Sequence, residues 1–239
     1  MTALVEVREV SKAYGSLVVA SDISFALDAG EVLGILGPNG AGKTTLFNMI
    51  SGDVAPDAGR IFLGGADVTR LRPHERCRRG IGRSYQIARP FGGLTVFENV
   101  LVGAIFGGGG KADANRRCVE VLELTGLLPK ANRLARTLTL IDRKRLEFAR
   151  ALATEPKVLL LDEIAGGLTE PEAREVADIV RTIRARNVAI VWIEHVVHAL
   201  LAVATRLFVM HQGAKLIEGE PRAIIESPDV RRIYMGIEA

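Results

Sequence analysis

Cysteine is nearly absent. The 239 residues hold two, Cys77 and Cys118, far apart and outside any CxxC spacing. A disulfide framework and a zinc site are therefore excluded, and both thiols read as structural. Long apolar runs are missing as well: none approaches the roughly 18 residues that span a bilayer. The opening MTALVEVREV has no signal-peptide pattern, so the chain is expected to be made and kept in the cytosol. Neither internal repeats nor low-complexity stretches occur. Net charge is only +3, with a pI near 9.0, compatible with nucleic acid, an anionic membrane surface or neither. Much of the positive charge falls at Arg70, Arg72, Arg76, Arg78, Arg79, Arg83 and Arg89, where Tyr85 is the one interleaved aromatic. That cluster reads as a solvated face ahead of a phosphate- or lipid-facing patch.

What is present suits one large α/β domain or a core with a smaller subdomain: 48% hydrophobic and 25% charged residues. It is organised around residues 37–45: Gly37, Pro38, Asn39, Gly40, Ala41, Gly42, Lys43, Thr44 and Thr45. Gly37, Gly42, Lys43 and Thr44 satisfy the GxxxxGK[ST] pattern, which predicts a nucleoside triphosphate site. Average residue usage would produce it by chance in roughly one chain of this length in a hundred. Glycines free to take positive φ let consecutive N–H groups turn inward as an anion cradle, and the helix behind adds its positive end. Lys43 can reach the β and γ phosphates, and the Thr44 hydroxyl can ligate Mg²⁺. A plain glycine-rich turn is the alternative. Against it stand the apolar strand-like run at residues 31–36 and the helical spacing of Leu46, Met49 and Ile50, closed by Gly52.

Residues 1–30 alternate like strands, with Val5 and Val7 on one face, then residues 17–20, then Ile23, Phe25 and Leu27. Tyr14 lies between the first two runs and reads as a loop aromatic. Upstream of a phosphate loop it could also stack on a base, worth roughly 1 to 3 kcal/mol. A strand is expected at 60–63, another strand-like piece ending in Ser84, Tyr85 and Gln86, and an apolar segment at 95–105 between glycine clusters that opens a mobile subdomain. Helices are expected around Cys118, Val121 and Leu122, from about Asp142 to Thr154, and from Pro171 to Asn187.

Residues 158–161 are a wholly apolar short strand ending in Asp162 and Glu163. An acidic pair at the carboxyl end of a parallel strand lies in the ligand crevice of an α/β sheet. There Asp162 can hold Mg²⁺ through water while Glu163 orients or deprotonates an attacking water. A surface acidic pair capping a strand is the plainer reading. Another buried strand, 188–193, ends in Glu194 and His195. A lone histidine is usually structural, yet this position makes His195 a candidate γ-phosphate contact, while Trp192 is packing. A hairpin about Gln212 and Gly213 and short tail helices complete the chain.

The order of these motifs resembles an ABC transporter ATPase over essentially the whole chain. The resemblance implies a P-loop NTPase (RecA-like) α/β core with an antiparallel β subdomain and an inserted α-helical subdomain: residues 1–86 and 157–239 as the core lobe, about 87–156 as the helical part. It implies ATP and Mg²⁺ as cofactors, Tyr14 as the adenine-stacking aromatic, Gln86 as the Q-loop glutamine touching Mg²⁺, Glu163 as the catalytic base, His195 as the switch histidine and Gly166 to Thr169 as the D-loop. TVFENVLVG at 95–103, RKRLEFARAL at 143–152, the IEH at 193–195 and the tail ESPDVRRIYMG are similar to branched-chain amino acid importers. Partners implied are transmembrane permease subunits, a sister or identical ATPase in a head-to-tail dimer and, indirectly, a periplasmic solute-binding protein. The place implied is the cytoplasmic face of the inner membrane.

One departure is plain. The family's LSGGQ signature corresponds to LTLID at 138–142, so Thr139 replaces serine and Leu140 and Ile141 replace both glycines. Thr139 is expected to offer a hydroxyl to a phosphate bound by the other subunit, and Asp142 to add negative charge nearby. The contact is expected to be weakened. Rival readings are a soluble ABC-type ATPase on nucleic acid or ribosomes, supported only by the pI, and a regulatory subunit that binds nucleotide without turnover.

Overall fold

The computed structural model describes residues 3–109 and 111–235. Met1, Thr2, Gly110 and the Gly236 that closes the ESPDVRRIYMG tail lie outside the described residues. Among the described residues the strands form two sheets. Strands β1 (Val5–Tyr14), β2 (Leu17–Leu27), β4 (Ala58–Leu63) and β5 (Ala66–Asp67) make an antiparallel sheet in the order β2-β1-β4-β5. The second sheet takes the order β10-β9-β3-β8-β7-β6, from β3 (Val32–Leu36), β6 (Ile81–Arg83), β7 (Val158–Asp162), β8 (Ala189–Ile193), β9 (Arg206–His211) and β10 (Ala214–Gly219). It is parallel except for the β9–β10 hairpin.

Side-chain alternation explains why the central strands are apolar throughout. Leu33, Ile35, Leu160, Val191, Ile193 and Phe208 point into a core shared with the antiparallel sheet and with helix α1 (Lys43–Ser51). Their neighbours Val32, Leu36, Leu159, Leu161, Ile190, Trp192 and Leu207 point the other way, onto the later helices. Both faces are covered, so no polar alternation survives in these strands.

Helix α2 (Pro73–Arg79) follows β5, and three longer helices precede β7: α3 (Val96–Phe106), α4 (Ala114–Leu124) and α5 (Leu140–Ala153). Val96, Val100, Cys118, Leu122, Leu146 and Ala149 give them a core of their own. Helix α5 is two-sided, because Phe148, Ala151 and Leu152 pack instead on the main sheet. Burial pushes the Cys118 thiol up to about 11, in keeping with a structural role. Helix α6 (Glu170–Arg184) covers the main sheet with Val176, Val180 and Ile183, and α7 (Val197–Leu201), α8 (Pro221–Glu226) and α9 (Pro228–Met235) complete that layer.

Four local expectations are corrected. Tyr14 is the last residue of β1, in register with Leu17, so it belongs to a tight hairpin and not to an open loop. Strand β6 stops at Arg83, and only the Ser84 N–H still reaches the Leu160 carbonyl, at 2.9 Å. Helix α5 starts at Leu140 because Thr139 caps it, its hydroxyl accepting from the Asp142 N–H. The arginine cluster is not one solvated face: Arg76 is 1% exposed and the Arg83 side chain 6%, while Arg70, Arg72, Arg78, Arg79 and Arg89 are exposed.

Arg76 has a structural task. Its Nη1 donates to the Met49 and Ile50 carbonyls at 2.5 and 2.7 Å, Nη2 to Thr69 O at 2.8 Å and Nε to Leu71 O at 3.1 Å. It thus caps the C-terminal carbonyls of α1, where a cation also meets the helix dipole. Burial lowers its pKa to about 10, so the charge persists at neutral pH. Arg76→Ala is expected to destabilise the chain by about 3 kcal/mol in denaturant unfolding, since buried carbonyls lose their donor.

Candidate active site

The loop between β3 and α1 is held from both sides. A Cβ on Gly37 would come within 2.5 Å of the Met210 carbonyl oxygen on β9, and one on Gly42 within 2.1 Å of the Val19 carbonyl oxygen on β2. Gly42 also has φ 93°, in the left-handed region. Asn39 and Gly40 form the exposed crest, while Ala41 is buried and its carbonyl accepts from the Gly213 N–H at 3.2 Å. Helix α1 starts directly behind, with no side-chain cap and no acidic residue in its first turn. Its leading N–H groups are left for an anion.

The Lys43 ammonium folds back over the loop, donating to the carbonyls of Gly37 at 2.7 Å and Pro38 at 3.0 Å. Burial lowers its pKa, and the Glu163 and Asp162 carboxylates work against that shift. Thr44 is exposed and, with Gln86 and Asp162, lines a cavity of about 490 Å³; Thr45 is half-buried beside it in sequence.

Across the crevice, Glu163 follows β7 with φ 49°. Its Oε1 lies 3.0 Å from His195 Nε2, and its Oε2 accepts from Gln86 Nε2 at 2.5 Å. Three residues from distant parts of the chain thus meet on one carboxylate. Asp162 is buried, with Oδ2 3.4 Å from Arg83 Nη2 and Oδ1 without a hydrogen-bond partner. Burial raises its pKa and the Arg83 guanidinium opposes that. An orphaned carboxylate oxygen sharing a cavity with a threonine hydroxyl fits the donor set of Mg²⁺, which takes few protein ligands and completes its shell with phosphate and water.

Three expected participants lie apart from this cluster. Tyr14 is 51% exposed, and its ring contact is the Lys12 ammonium at 5.5 Å. Lys12 in turn pairs with Asp57 at 2.6 Å, and Asp57 also accepts from the Ala13 N–H, which steadies the hairpin. Thr139 and Asp142 sit at the start of α5. Here the expectation is corrected: Asp142 does not add free negative charge, because it is buried 2.6 Å from Lys130 Nζ. Nor is the Thr139 hydroxyl open to a ligand, since it donates to Asp142 Oδ2 at 2.9 Å. Burial alone would raise Asp142, but the Lys130 ammonium and the Thr139 hydroxyl more than offset it, so its pKa is lowered. What faces outward is Leu140, 72% exposed.

Sequence reasoning gave Glu194 no role. It is 1% exposed and accepts from the N–H groups of Ala165 at 2.9 Å, His195 at 3.0 Å and Val196 at 3.4 Å. Burial raises its pKa, and those three donors counter the shift. The carboxylate therefore ties the backbone of His195 to the start of the turn after Glu163. An acidic residue ending a wholly apolar strand was the available signal.

A phosphate cradle at the carboxyl end of a central parallel strand, facing an acidic pair on the next strand but one, is the architecture of a P-loop nucleoside triphosphatase. Comparison with known proteins narrows the class. A family model described as ABC transporter matches residues 20–166. The lipopolysaccharide export system ATP-binding protein LptB of Acidithiobacillus ferridurans is 36% identical over 236 residues, covering 99% of this chain and 98% of that protein. The high-affinity branched-chain amino acid transport ATP-binding protein LivG of Salmonella typhimurium is 36% identical over 249 residues, covering 98% of each. Among solved structures, the ADP conformation of an ATP-binding cassette of an ABC transporter superposes with a TM-score of 0.90 at 29% identity, covering 99% of this chain and 100% of that one.

The chain belongs to the ABC transporter family. It is an ATP-binding, ATP-hydrolysing subunit of a transporter, and its cofactor is ATP.

Glu194→Ala is expected to lower stability by about 2 kcal/mol by leaving buried N–H groups unpaired, and to slow ATP turnover about tenfold through a loosened His195. Parallel denaturant melts and turnover assays check both numbers.

Proposed function

We propose that this chain energises an importer for branched-chain amino acids or related small polar solutes. The observation that carries the reading is the match to LivG across 98% of both chains, reinforced by the TVFENVLVG, RKRLEFARAL and IEH runs. No helix among the described residues is long and apolar enough to cross a membrane, so the reading includes permease subunits that supply the passage. It also includes attachment at the cytoplasmic membrane face, a second ATPase as head-to-tail partner and a solute-binding protein outside. Residues 1–86 and 157–239 are taken as the core lobe and 87–156 as the helical subdomain, in keeping with the separate core of α3, α4 and α5. A second reading, lipid or lipopolysaccharide export, is favoured by the equal identity to LptB.

In the proposed site Lys43 and the loop N–H groups hold the β and γ phosphates, and Tyr14 stacks on the base. Thr44, Gln86 and, through water, Asp162 hold Mg²⁺, whose charge would offset that of the phosphates during hydrolysis. Glu163 is placed to orient and deprotonate the attacking water, and His195, hydrogen-bonded to it, to contact the γ phosphate. The Gln86 amide and His195 ring occupy both carboxylate oxygens of Glu163, so its base function requires these side chains to release it. Nucleotide binding and approach of the second subunit are the natural trigger.

At the other end, Thr139 and the first turn of α5 would face the nucleotide of the partner subunit. Leu140 and Ile141 stand where that approach needs bare backbone, so the composite site they complete is the weak one. The site on this chain's own loop, with Glu163 and His195, is the active one of the pair.

Turnover should be measured for this chain alone, then in lipid with its permeases and sister ATPase, with and without loaded binding protein. Stimulation by a binding protein loaded with a branched-chain amino acid is the expected result; a response to nothing but an export partner overturns the importer reading. In the same assembly Glu163→Gln is expected to cut turnover about a hundredfold while ATP binding persists. Retention of most activity would remove the asymmetry. Conversely, Leu140→Gly with Ile141→Gly is expected to raise turnover about twofold, as backbone donors at the second site become accessible.

A further inference from the structure

We infer that Arg83 is a positioning residue that sets the spacing between Thr44 and Asp162 and thereby governs how well the chain engages Mg²⁺. The inference rests on the assignment of those two side chains to the metal.

Arg83 ends β6, next to β7, with its side chain almost wholly buried. Its two terminal nitrogens take different partners. Nη1 donates to Asn48 Oδ1 at 2.8 Å, Ser51 Oγ at 2.8 Å and Asp53 Oδ2 at 3.0 Å, all in or just after α1. Nη2 lies 3.4 Å from Asp162 Oδ2 on β7.

Asn48 stands one helical turn beyond Thr44, and residues four apart share a helix face. A single planar fork therefore grips α1 directly behind Thr44 with one arm and holds Asp162 with the other. The separation of the two metal-bearing elements is set by the width of a guanidinium. A lysine ammonium, a point charge on a flexible stem, cannot make both attachments in fixed geometry.

The consequences for Asp162 follow. One oxygen faces the cation, and the other is buried without a partner. A carboxylate anchored through one oxygen and unpaired at the other is preset for a single new ligand, as carboxylates beside metals commonly are. The fork is itself braced, since the Arg83 guanidinium lies 4.6 Å from the Tyr85 ring centroid and 5.8 Å from that of Phe47. Tyr85 is 45% exposed and borders both the nucleotide cavity and a second one of about 460 Å³ that includes His74, Val102 and Phe106. Its ring can be removed without deleting any hydrogen bond to Asp162.

A purely structural arginine would lose fold stability and nucleotide affinity alike, with or without metal. A positioning arginine moves the metal dependence selectively. The test uses the full chain and a fluorescent ATP analogue, with affinity measured in EDTA and along a Mg²⁺ titration, for Arg83→Met, Arg83→Lys, Tyr85→Ala and Asp162→Asn. Arg83→Met is expected to raise the half-saturating Mg²⁺ concentration about tenfold or more while affinity in EDTA stays as in the parent chain. Arg83→Lys is expected to recover little of that loss, and Tyr85→Ala to shift the titration the same way by about threefold.

The inference is overturned if Arg83→Met titrates like the parent, if it weakens binding equally in EDTA, or if Arg83→Lys restores the parent curve. Should Arg83→Met not fold, a parent-like Mg²⁺ titration for Arg83→Lys overturns it by itself. If Asp162→Asn leaves the titration unmoved, the metal assignment fails and takes the inference with it. A shift with Asp162→Asn but none with the Arg83 and Tyr85 variants overturns the role of Arg83 alone.

Discussion

The close approach of two carbonyl oxygens to two glycines is the constraint on which the molecule turns. The Val19 oxygen from the antiparallel sheet and the Met210 oxygen from the parallel sheet press on Gly42 and Gly37, at opposite ends of one loop. No side chain fits at either place, so the loop is wedged where the sheets meet. Its N–H groups keep their direction because the surrounding backbone leaves no room for another. The Ser21 N–H bond to the Gly213 carbonyl, at 2.8 Å, joins the same two sheets a few residues away. The loop is thus seated on strands of both sheets.

Around this wedge, buried charges connect elements that hydrophobic packing alone would leave free to slide. Arg76 closes α1 at its C-terminus, Arg83 joins α1 to β7, and Glu194 joins β8 to the turn after β7. Each meets several partners, which is the condition under which burying a charge is tolerable. Desolvation is the largest cause of the raised pKa of both Asp162 and Glu194 and of the lowered pKa of Lys43. The Glu163 side chain is partly open and is held by the neutral amide of Gln86 and the ring of His195. That arrangement holds the carboxylate in place with both of its oxygens engaged.

The start of α5 shows how a local substitution changes an interface. Thr139 caps the helix, Asp142 locks the cap and Lys130 neutralises it. The cap serves the Asp142 and Arg143 N–H groups, and the turn presents leucine outward. The same segment with glycines would present N–H groups instead.

Local patterns with obligatory spacing were legible directly in the chain: the loop at 37–45, the acidic pair after an apolar strand, and the two-faced hydrophobic strands. Their physics is contained within a few consecutive residues, so position along the chain is nearly position in space. The meeting of Gln86, Glu163 and His195 was readable only as an order of motifs. Arg76 and Arg83 were indistinguishable from their solvated neighbours, because an arginine is buried or exposed according to carbonyls and carboxylates contributed by other segments. Asp142 misled for the same reason: its charge is cancelled by Lys130, twelve residues earlier and on another element. The sequence by itself determined the kind of site and the strands that present it. Tertiary structure alone decided which charges are buried and with whom they pair, since pairing across separations from 12 to 79 residues is fixed by packing and not by local order.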